Sequence, residues 1–331
     1  MKQKIFSFLT TTLLLASPFA MATQTVNVYT YNSFASEKWG AGPKLKQLFE
    51  QSHPQCQIHY TALDGSNTMF NRIRLEGKQT KADMAIGLNN FMLDAAEKSQ
   101  LFTPAKVELD TLPENFRNAT FVPYGFADYA FIYNKTKLKN PPKSLQELVN
   151  RQDIRVIYED PRTSAVGQGF VAWMNKVYSE KDIQSAWQTL AKHTVTVTKS
   201  WSEAYGAFLK GEADMVLSYN TSPLYHILNE HDDNYVATNF PAPHVAQIEF
   251  VATLKNHEND CTNAFTQFMI TPPAQKILST ANVMLPVVQN IHVPLYDKLR
   301  QQSVLPNLKE ESVPQQTMRQ WINTWQNALT D

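Results

Sequence analysis

The chain has 331 residues, of which 30 are Lys or Arg and 30 are Asp or Glu, so its formal net charge is zero. No long run of either sign occurs, which argues against the basic surface of nucleic-acid-binding or membrane-surface proteins, and we expect no such partner. A chain of this length exceeds what one hydrophobic core usually serves, so we expect two lobes with a cleft between them.

The first 22 residues have the pattern of a secretory signal peptide. Lys2 and Lys4 precede an apolar run from Ile5 to Ala16, and the small residues of Ala20-Met21-Ala22 form a cleavage signal. The apolar run is shorter than the roughly 20 residues that a membrane-spanning helix needs. We expect cleavage near Ala22, which leaves a soluble mature chain of 309 residues. An uncleaved N-terminal anchor is the alternative.

Strand-like and helix-like segments alternate along the mature chain. The β-branched and aromatic run 25–31 predicts a strand, an amphipathic helix begins at Pro43, and a capping box at Ser144 and Glu147 starts another helix. The other predicted segments are strands at 58–63, 82–88, 156–158, 194–198 and 215–219, helices at 69–77, at 166–178 and ending near Gly211, and a C-terminal helix with Trp321, Trp325 and Leu329. This order predicts an α/β protein whose lobes are mixed, largely parallel sheets flanked by helices.

Two long strand-like stretches, 124–133 and 244–254, are candidates for the segments that join the lobes. We therefore assign 23–122 and 246–290 to the first lobe and 123–245 and 291–331 to the second. The two cysteines, Cys56 and Cys261, are too few for a disulfide framework. Export permits them to pair, but their separation in sequence leaves the pairing open.

Polar and aromatic residues follow the predicted strands. Ligands of open α/β sheets collect at the carboxyl ends of strands, where helix N-termini expose backbone N–H groups to anions. The segments at these ends are Tyr31-Asn32-Ser33-Phe34, Asp64-Gly65-Ser66, Asn89-Asn90, 160–165, 199–202 and 219–223. Aromatic rings for stacking and a carboxylate at Asp64 favour a small aromatic ligand that is partly cationic, with or without phosphate.

Each of these residues also has an ordinary structural explanation. Ser, Thr, Asn and Asp at strand ends are common helix caps and turn residues. Trp201 shares a helical stripe with Tyr205 and Phe208, as a core-facing helix would, and Tyr31 and Tyr225 fit a core equally well. The pattern alone therefore does not separate binding residues from packing residues.

Catalytic and metal-binding motifs are absent from the sequence. It contains no Gly-x-Ser-x-Gly, no phosphate-binding Gly-x-x-x-x-Gly-Lys-Ser/Thr loop and no His-Glu-x-x-His helix. His226 and His231 are five residues apart and would diverge on a helix, so a solvated helix end explains them better than a metal site. We expect a binding protein with no catalytic residue, no bound metal and no cofactor.

The strand-end segments lie within longer blocks that resemble the periplasmic thiamine-binding proteins of Gram-negative ABC importers. These blocks are Val28-Tyr29-Thr30-Tyr31, Ala62-Leu63-Asp64-Gly65, Asn71-Arg72-Ile73-Arg74, 156–164, 196–206 and 217–223. The resemblance implies a type II periplasmic binding fold that closes around thiamine, thiamine monophosphate or thiamine diphosphate. It further implies a monomer that delivers this ligand to an inner-membrane permease.

The resemblance also implies a set of ligand-binding positions. Asp64 would meet the aminopyrimidine, Trp201 and the tyrosines would face the rings, and Ser164 with 220–222 would meet the hydroxyethyl or phosphate end. The full set is Tyr31, Asp64, Gly65, Ser164, Ala165, Trp201, Tyr219, Asn220, Thr221, Ser222 and Tyr225.

The sequence departs from the family pattern at several of these sites. A tryptophan is expected in the segment that here reads Asn282-Val283-Met284-Leu285-Pro286-Val287, so Val283 removes one stacking face. Ala165 and Asn220 stand where threonines are expected, and the loop before Trp39 is one residue longer. The alternatives are a receptor for ferric iron, a polyamine or another small solute, and a secreted hydrolase or transferase that uses Asp64 or His226.

Overall fold

The computed structural model describes residues 23–38, 40–289, 291–303 and 305–330. The predicted signal peptide, residues 1–22, and Trp39 lie outside the described residues. Within these ranges, no helix has both the length and the apolar character needed to cross a membrane.

The strands and helices follow the alternation that the sequence predicts. The strands are β1 (Gln24–Tyr31), β2 (Cys56–Leu63), β3 (Met84–Asn89), β4 (Phe102–Thr103), β5 (Val122–Asn134), β6 (Val156–Glu159), β7 (Thr194–Thr198), β8 (Met215–Tyr219), β9 (Tyr235–Ala237) and β10 (Ala246–Leu254). The helices are α1 (Asn32–Ala35), α2 (Gly42–Ser52), α3 (Ser66–Glu76), α4 (Leu93–Ser99), α5 (Leu145–Asn150), α6 (Ala165–Val177), α7 (Ile183–Ala191), α8 (Trp201–Leu209), α9 (Ser222–Tyr225), α10 (Asp260–Met269), α11 (Pro272–Ile277), α12 (Pro294–Gln302), α13 (Leu308–Glu311) and α14 (Gln315–Thr330). Single π-helical turns, His226–Glu230 and Leu278–Asn282, extend α9 and α11.

The strands pair in the order β2-β1-β3-β10-β5-β8-β6-β7, with β4 against β10 and β9 against β5. β1 pairs in parallel with β2 and β3, and β6 pairs in parallel with β7 and β8. β5 and β10 pair only antiparallel with their neighbours. The sheets are therefore mixed, as predicted, with parallel strands in the outer parts and antiparallel strands where the lobes meet.

Strand β5 joins the two sheets. Its first part pairs with β10 up to Asp128, which is opposite Ala246, and its second part pairs with β8 from Tyr129, which is opposite Tyr219. The chain therefore changes sheet between Asp128 and Tyr129. The two stretches proposed as connections between lobes, 124–133 and 244–254, correspond to β5 and β10.

Two large hydrophobic clusters correspond to the two lobes. The first lies around β1, β2, β3 and β10, and the second lies around β6, α6 and α7, with a smaller cluster beneath α8. The C-terminal segment 291–331, which the sequence assigned to the second lobe as a whole, contributes to both clusters. Val293, Tyr296 and Leu308 pack in the first cluster, whereas Met318 and Trp325 pack in the second. The apolar stripe of α14 accounts for the second set, because it covers α6 and α7.

The two cysteines pair. Cys56 at the start of β2 and Cys261 in α10 form a disulfide with their Cα atoms 5.6 Å apart. The bond connects an edge strand of the first lobe to a helix 205 residues later in the chain. This settles the pairing that the sequence left open.

Candidate ligand-binding cleft

A cleft of about 780 Å³ of empty volume, partly open to solvent, lies between the two lobes at the carboxyl ends of β1, β2, β6 and β8. Because parallel strands of each sheet end at this edge, the loops that follow them converge on one space. The lining residues are Tyr31, Asn32, Ser33, Asp64, Gly65, Ser66, Ser164, Ala165, Val166, Trp201, Tyr205, Tyr219, Ser222, Tyr225, Gln247, Glu249, Asn282, Val283 and Met284.

Nine of the eleven predicted binding positions line this cleft. The other two, Asn220 and Thr221, do not. The amide of Asn220 lies 3.4 Å from both Asp128 and Ser303, so its side chain turns toward the junction of the lobes. Thr221 is completely buried behind the wall. Strand β8 ends at Tyr219, and the turn that follows directs the next two side chains away from the cleft.

Several lining residues were missed as site residues. Tyr205 was read only as part of a core stripe, yet it is both buried and on the wall. Gln247 and Glu249 belong to β10, which was read only as a connection between the lobes. Their spacing places both side chains on one face of β10, but it does not show that this face borders the cleft.

The two lobes approach each other closely around the cleft. A Cβ atom on Gly65 of the first lobe would lie 2.6 Å from the carbonyl oxygen of Thr163 in the second, so only glycine fits there. The amide of Asn67 donates across the same gap to the carbonyl oxygen of Pro161 at 3.1 Å. These contacts describe a closed arrangement of the lobes.

The first lobe contributes the charged wall. Its two carboxylates differ in environment: Asp64, directly after β2, is exposed, whereas Glu249 in β10 is only 3% exposed. Among the described lining residues there is no Lys, Arg or His. The wall therefore has two acidic groups and no lining cation to balance them.

Glu249 accepts hydrogen bonds from three side chains. The Tyr31 hydroxyl lies 3.0 and 3.1 Å from its two carboxylate oxygens, the Gln247 amide donates at 2.8 Å and the Asn282 amide donates at 3.2 Å. Burial raises the pKa of Glu249, and the donated hydrogen bonds oppose that rise.

The second lobe contributes an aromatic wall. Trp201 stacks on Tyr205 with ring centroids 4.8 Å apart, and its indole N–H donates to Ser218 Oγ at 2.8 Å. Tyr219 stacks on Tyr129 at 5.4 Å. Burial raises the pKa of Tyr219 and of Tyr205 well above the usual value for a phenol, so both present neutral rings.

The start of α6 lies on the same wall. Ser164 is the N-cap of this helix, and its Oγ accepts from the backbone N–H of Val166 at 3.2 Å. Ser164, Ala165 and Val166 all line the cleft. The helix-cap and the binding interpretations of Ser164 are therefore compatible.

The structure corrects the prediction that His226 lies at a solvated helix end. His226 is completely buried and not at a solvated helix end, because the ring of Tyr235 stacks on it at 4.1 Å and Tyr205 packs against it. Its Nε2 lies 2.9 Å from the Tyr205 hydroxyl and its Nδ1 lies 2.6 Å from Glu230 Oε2. Within the described ranges, no three His, Cys, Asp or Glu side chains are grouped as metal ligands.

Val283 lies on the cleft wall in the left-handed backbone region, with φ of 57° and ψ of 43°. It follows the π-helical turn of residues 278–282. This conformation is rare for a β-branched residue and costs roughly 1–2 kcal/mol. The position at which a tryptophan was expected therefore does border the ligand space.

Comparison with known proteins identifies the family. Residues 37–281 match the family described as "Bacterial extracellular solute-binding protein". The chain belongs to this family. The thiamine-binding periplasmic protein of Haemophilus influenzae is 53% identical over the full length of both chains, and that of Escherichia coli is 46% identical over 96% of this chain and 97% of its own. A solved periplasmic thiamin binding protein superposes with a TM-score of 0.84 at 44% identity, covering 93% of this chain and 97% of that one.

These relatives test several predictions made from the sequence. The resemblance to periplasmic thiamine-binding proteins, the two-lobed α/β fold and the periplasmic location are confirmed. The relatives are solute-binding proteins, which confirms that this family member is a receptor and not an enzyme.

Proposed function

We propose that this periplasmic solute-binding protein captures thiamine in the cleft and delivers it to the permease of an ABC importer. The observation that carries the proposal is the pairing of unlike walls, one with two carboxylates and one with the four rings of Trp201, Tyr205, Tyr219 and Tyr225. Relatives that are 53% and 46% identical and bear the name of thiamine support this ligand over ferric iron, a polyamine or a hydrolase substrate.

The chemistry of thiamine fits both walls. Its thiazolium ring is a permanent cation, which neutral aromatic faces attract by roughly 0.5–2 kcal/mol each. Its aminopyrimidine offers an amino group to a carboxylate, a contact that contributes at most about 1 kcal/mol where the carboxylate is exposed, as Asp64 is. A few such contacts are a substantial part of the about 12 kcal/mol that nanomolar affinity requires.

The proposed binding residues are the nine predicted positions that line the cleft. In this proposal Asp64 meets the aminopyrimidine, Trp201 and the tyrosines face the rings, and Ser164 with Ser222 receives the hydroxyethyl or phosphate end. The N-terminus of α6 favours an anion at that end, which would also admit thiamine monophosphate and diphosphate. Delivery to the permease and a monomeric state are parts of the same proposal.

A titration of purified protein tests the ligand. We expect calorimetry to give one site per chain for thiamine, and thermal denaturation to shift upward with thiamine but not with ferric citrate or spermidine. A matched variant, Trp187→Phe, changes a tryptophan buried in the second cluster away from the cleft and should bind thiamine as the wild type does. Absence of binding to thiamine and to both its phosphates would exclude the proposal.

A further inference from the structure

We propose that Glu249 is the residue that makes the cleft selective for a positively charged ligand. This inference rests on the proposed function and refines it, because it assigns recognition of the cation to a strand position outside the predicted site. The carboxylate is 3% exposed and borders the cleft.

The side chains around Glu249 are arranged to accept a negative charge. Tyr31, Gln247 and Asn282 all present donors to its two oxygens. A carboxylate only accepts, so the amide donors of Gln247 and Asn282 favour the ionised form of Glu249. The Tyr31 hydroxyl, which also lies 3.3 Å from Asn282 Oδ1, has one proton to share among these acceptors.

The orientation of Gln247 is determined by a further contact. Its Oε1 accepts from the Tyr129 hydroxyl, which leaves its Nε2 to donate to Glu249. The Tyr31 hydroxyl lies within hydrogen-bond distance of both carboxylate oxygens, so the three neighbouring side chains make four contacts, about the number that a carboxylate can accept. A ligand cation would therefore interact with Glu249 through its charge and not as a further hydrogen-bond donor.

The charge of Glu249 has no partner of opposite sign among the described lining residues. A buried charge without such a partner is costly, and a ligand that supplies one recovers part of that cost when it binds. A neutral ligand of the same shape would leave the charge buried and unbalanced. Selectivity for a cation follows from this difference.

Two other carboxylates show why the assignment falls on Glu249. Asp64 is exposed, so water and salt screen its charge in the free protein. Glu159, at the end of β6, is completely buried, and neither of its oxygens has a hydrogen-bond partner among the described residues. Glu159 does not line the cleft. Glu249 alone of these three is both buried and on the wall.

Calorimetric titration of wild type and Glu249→Gln with three ligands tests the inference. The ligands are thiamine, oxythiamine, which keeps the thiazolium charge but lacks the amino group, and thiochrome, a neutral fused derivative. We expect the variant to bind thiamine and oxythiamine roughly thirtyfold more weakly, because loss of one member of a desolvated charge pair has effects of this size. Affinity for thiochrome should change less than threefold, so the preference for cations falls by about tenfold.

Three controls separate charge from folding. Glu159→Gln makes the same change at a buried carboxylate outside the cleft and should leave all three affinities unchanged. Glu249→Asp keeps the charge and should keep most of the preference for thiamine over thiochrome. Circular dichroism and the melting temperature will show whether Glu249→Gln folds. If it does not, Glu249→Ala, which also removes the charge, provides the test and should show the same loss of preference.

The possible outcomes are distinct. If the wild type binds no form of thiamine, the proposed function fails. If it binds thiamine and Glu249→Gln binds it equally well, the function stands and the inference is overturned. Three further results would show that Glu249 does not select charge. The first is an equal loss of affinity for thiamine and thiochrome in Glu249→Gln, and the second is a loss for thiamine but not for oxythiamine. The third is the same loss of preference in Glu249→Asp.

Discussion

The two walls of the cleft differ in chemistry. The first lobe contributes Asp64 and Glu249, whereas the second contributes the rings of Trp201 and three tyrosines. A carboxylate attracts any cation and a ring attracts any flat surface, but together they favour a flat cation. Both carboxylates lie on the first lobe, and four of the five lining aromatic rings lie on the second, with Tyr31 of the first lobe as the fifth. Full recognition therefore requires the lobes to close, which fits a receptor whose closed form signals that it is loaded.

The lobes also differ in how they are held together. The first contains the disulfide between Cys56 and Cys261, whereas the second contains no cysteine, and its core includes Trp173 and Trp187. Substitutions in the two lobes should therefore have different effects on stability and on ligand affinity. The predictions below use this difference, from the largest expected effect to the smallest.

Removal of the disulfide should destabilise the first lobe selectively. In a double Cys56→Ser, Cys261→Ser variant we expect the free energy of unfolding to fall by roughly 2–5 kcal/mol, because a long closed loop constrains the unfolded chain. Circular dichroism in a denaturant series should show an early transition that the fluorescence of Trp173 and Trp187, buried in the second cluster, does not follow.

Thiamine affinity provides the control for this experiment. Cys56 lies at the start of β2 and the cleft at its end, roughly 25 Å away at the usual rise per residue. Binding at low denaturant should therefore be unchanged, and reduction of the wild type should reproduce the loss of stability. Coincident transitions by both probes would contradict a disulfide effect confined to the first lobe.

Removal of the indole should weaken the aromatic wall. We expect Trp201→Ala to bind thiamine about thirtyfold more weakly, equivalent to about 2 kcal/mol, because the ring face and the support of Tyr205 are both lost. Trp201→Phe keeps a ring and should lose less. Calorimetry on both variants measures the difference in affinity. An unchanged affinity in Trp201→Ala would show that the indole on the second lobe does not contribute to thiamine binding.

The junction between the lobes should show a pH effect. Burial raises the pKa of Asp128 to about 6, with Glu311 adding to the rise and His244 opposing it. The folded state then binds a proton more tightly than the unfolded state, so the stabilisation is present below about pH 4 and is lost as the pH rises through about 6. Asp128→Asn should be more stable than the wild type by about 1 kcal/mol at pH 7, after allowance for partial exposure, and equal to it near pH 4.

Denaturant unfolding of both proteins at pH 4, 5, 6 and 7 measures this difference. The Asn variant keeps an acceptor for the Asn220 amide, so the comparison isolates the charge. A difference that does not grow with pH would show that the Asp128 carboxyl is not the titrating group.

The exposed carboxylate should matter less than the aromatic wall. We expect Asp64→Asn to weaken thiamine binding about threefold at low salt, because exposed ion pairs contribute at most about 1 kcal/mol. The difference from wild type should shrink further at 0.5 M NaCl, where screening is stronger. Calorimetry at two salt concentrations tests this, and a salt-independent loss would mean that the bound ligand shields Asp64 from solvent.

Much of the fold was predictable because its elements carry local signals. The strands β7 and β8 have the predicted bounds, and β1, β2 and β6 are longer by a residue or two than their β-branched and aromatic cores. The position of the cleft was predictable for a different reason: residues after parallel strands must meet at one edge. Nine binding positions line it because they occupy those ends.

The positions of Glu249, His226 and Asn220 depend on tertiary packing, which local sequence patterns do not show. Glu249 lies inside β10, which pairs antiparallel with its neighbours and brings the middle of a strand to the cleft. His226 is buried because Tyr235, nine residues later, folds over it. Asn220 turns toward Ser303 from a distant helix end. None of these contacts follows from spacing within one segment.

The smallest predicted effect concerns the residue where the family pattern carries a tryptophan. Val283 lies on the first-lobe wall, so Val283→Trp would add a ring to the wall that has carboxylates. Because a cation–π contact at a partly exposed site contributes as little as roughly 0.5 kcal/mol, we expect thiamine to bind about twofold more tightly. The backbone already adopts φ of 57°, so the new residue adds little strain beyond that of valine. Val283→Leu, similar in hydrophobicity but without a ring, is the control, and an equal gain in both variants would mean that added apolar surface, and not the aromatic face, tightens binding.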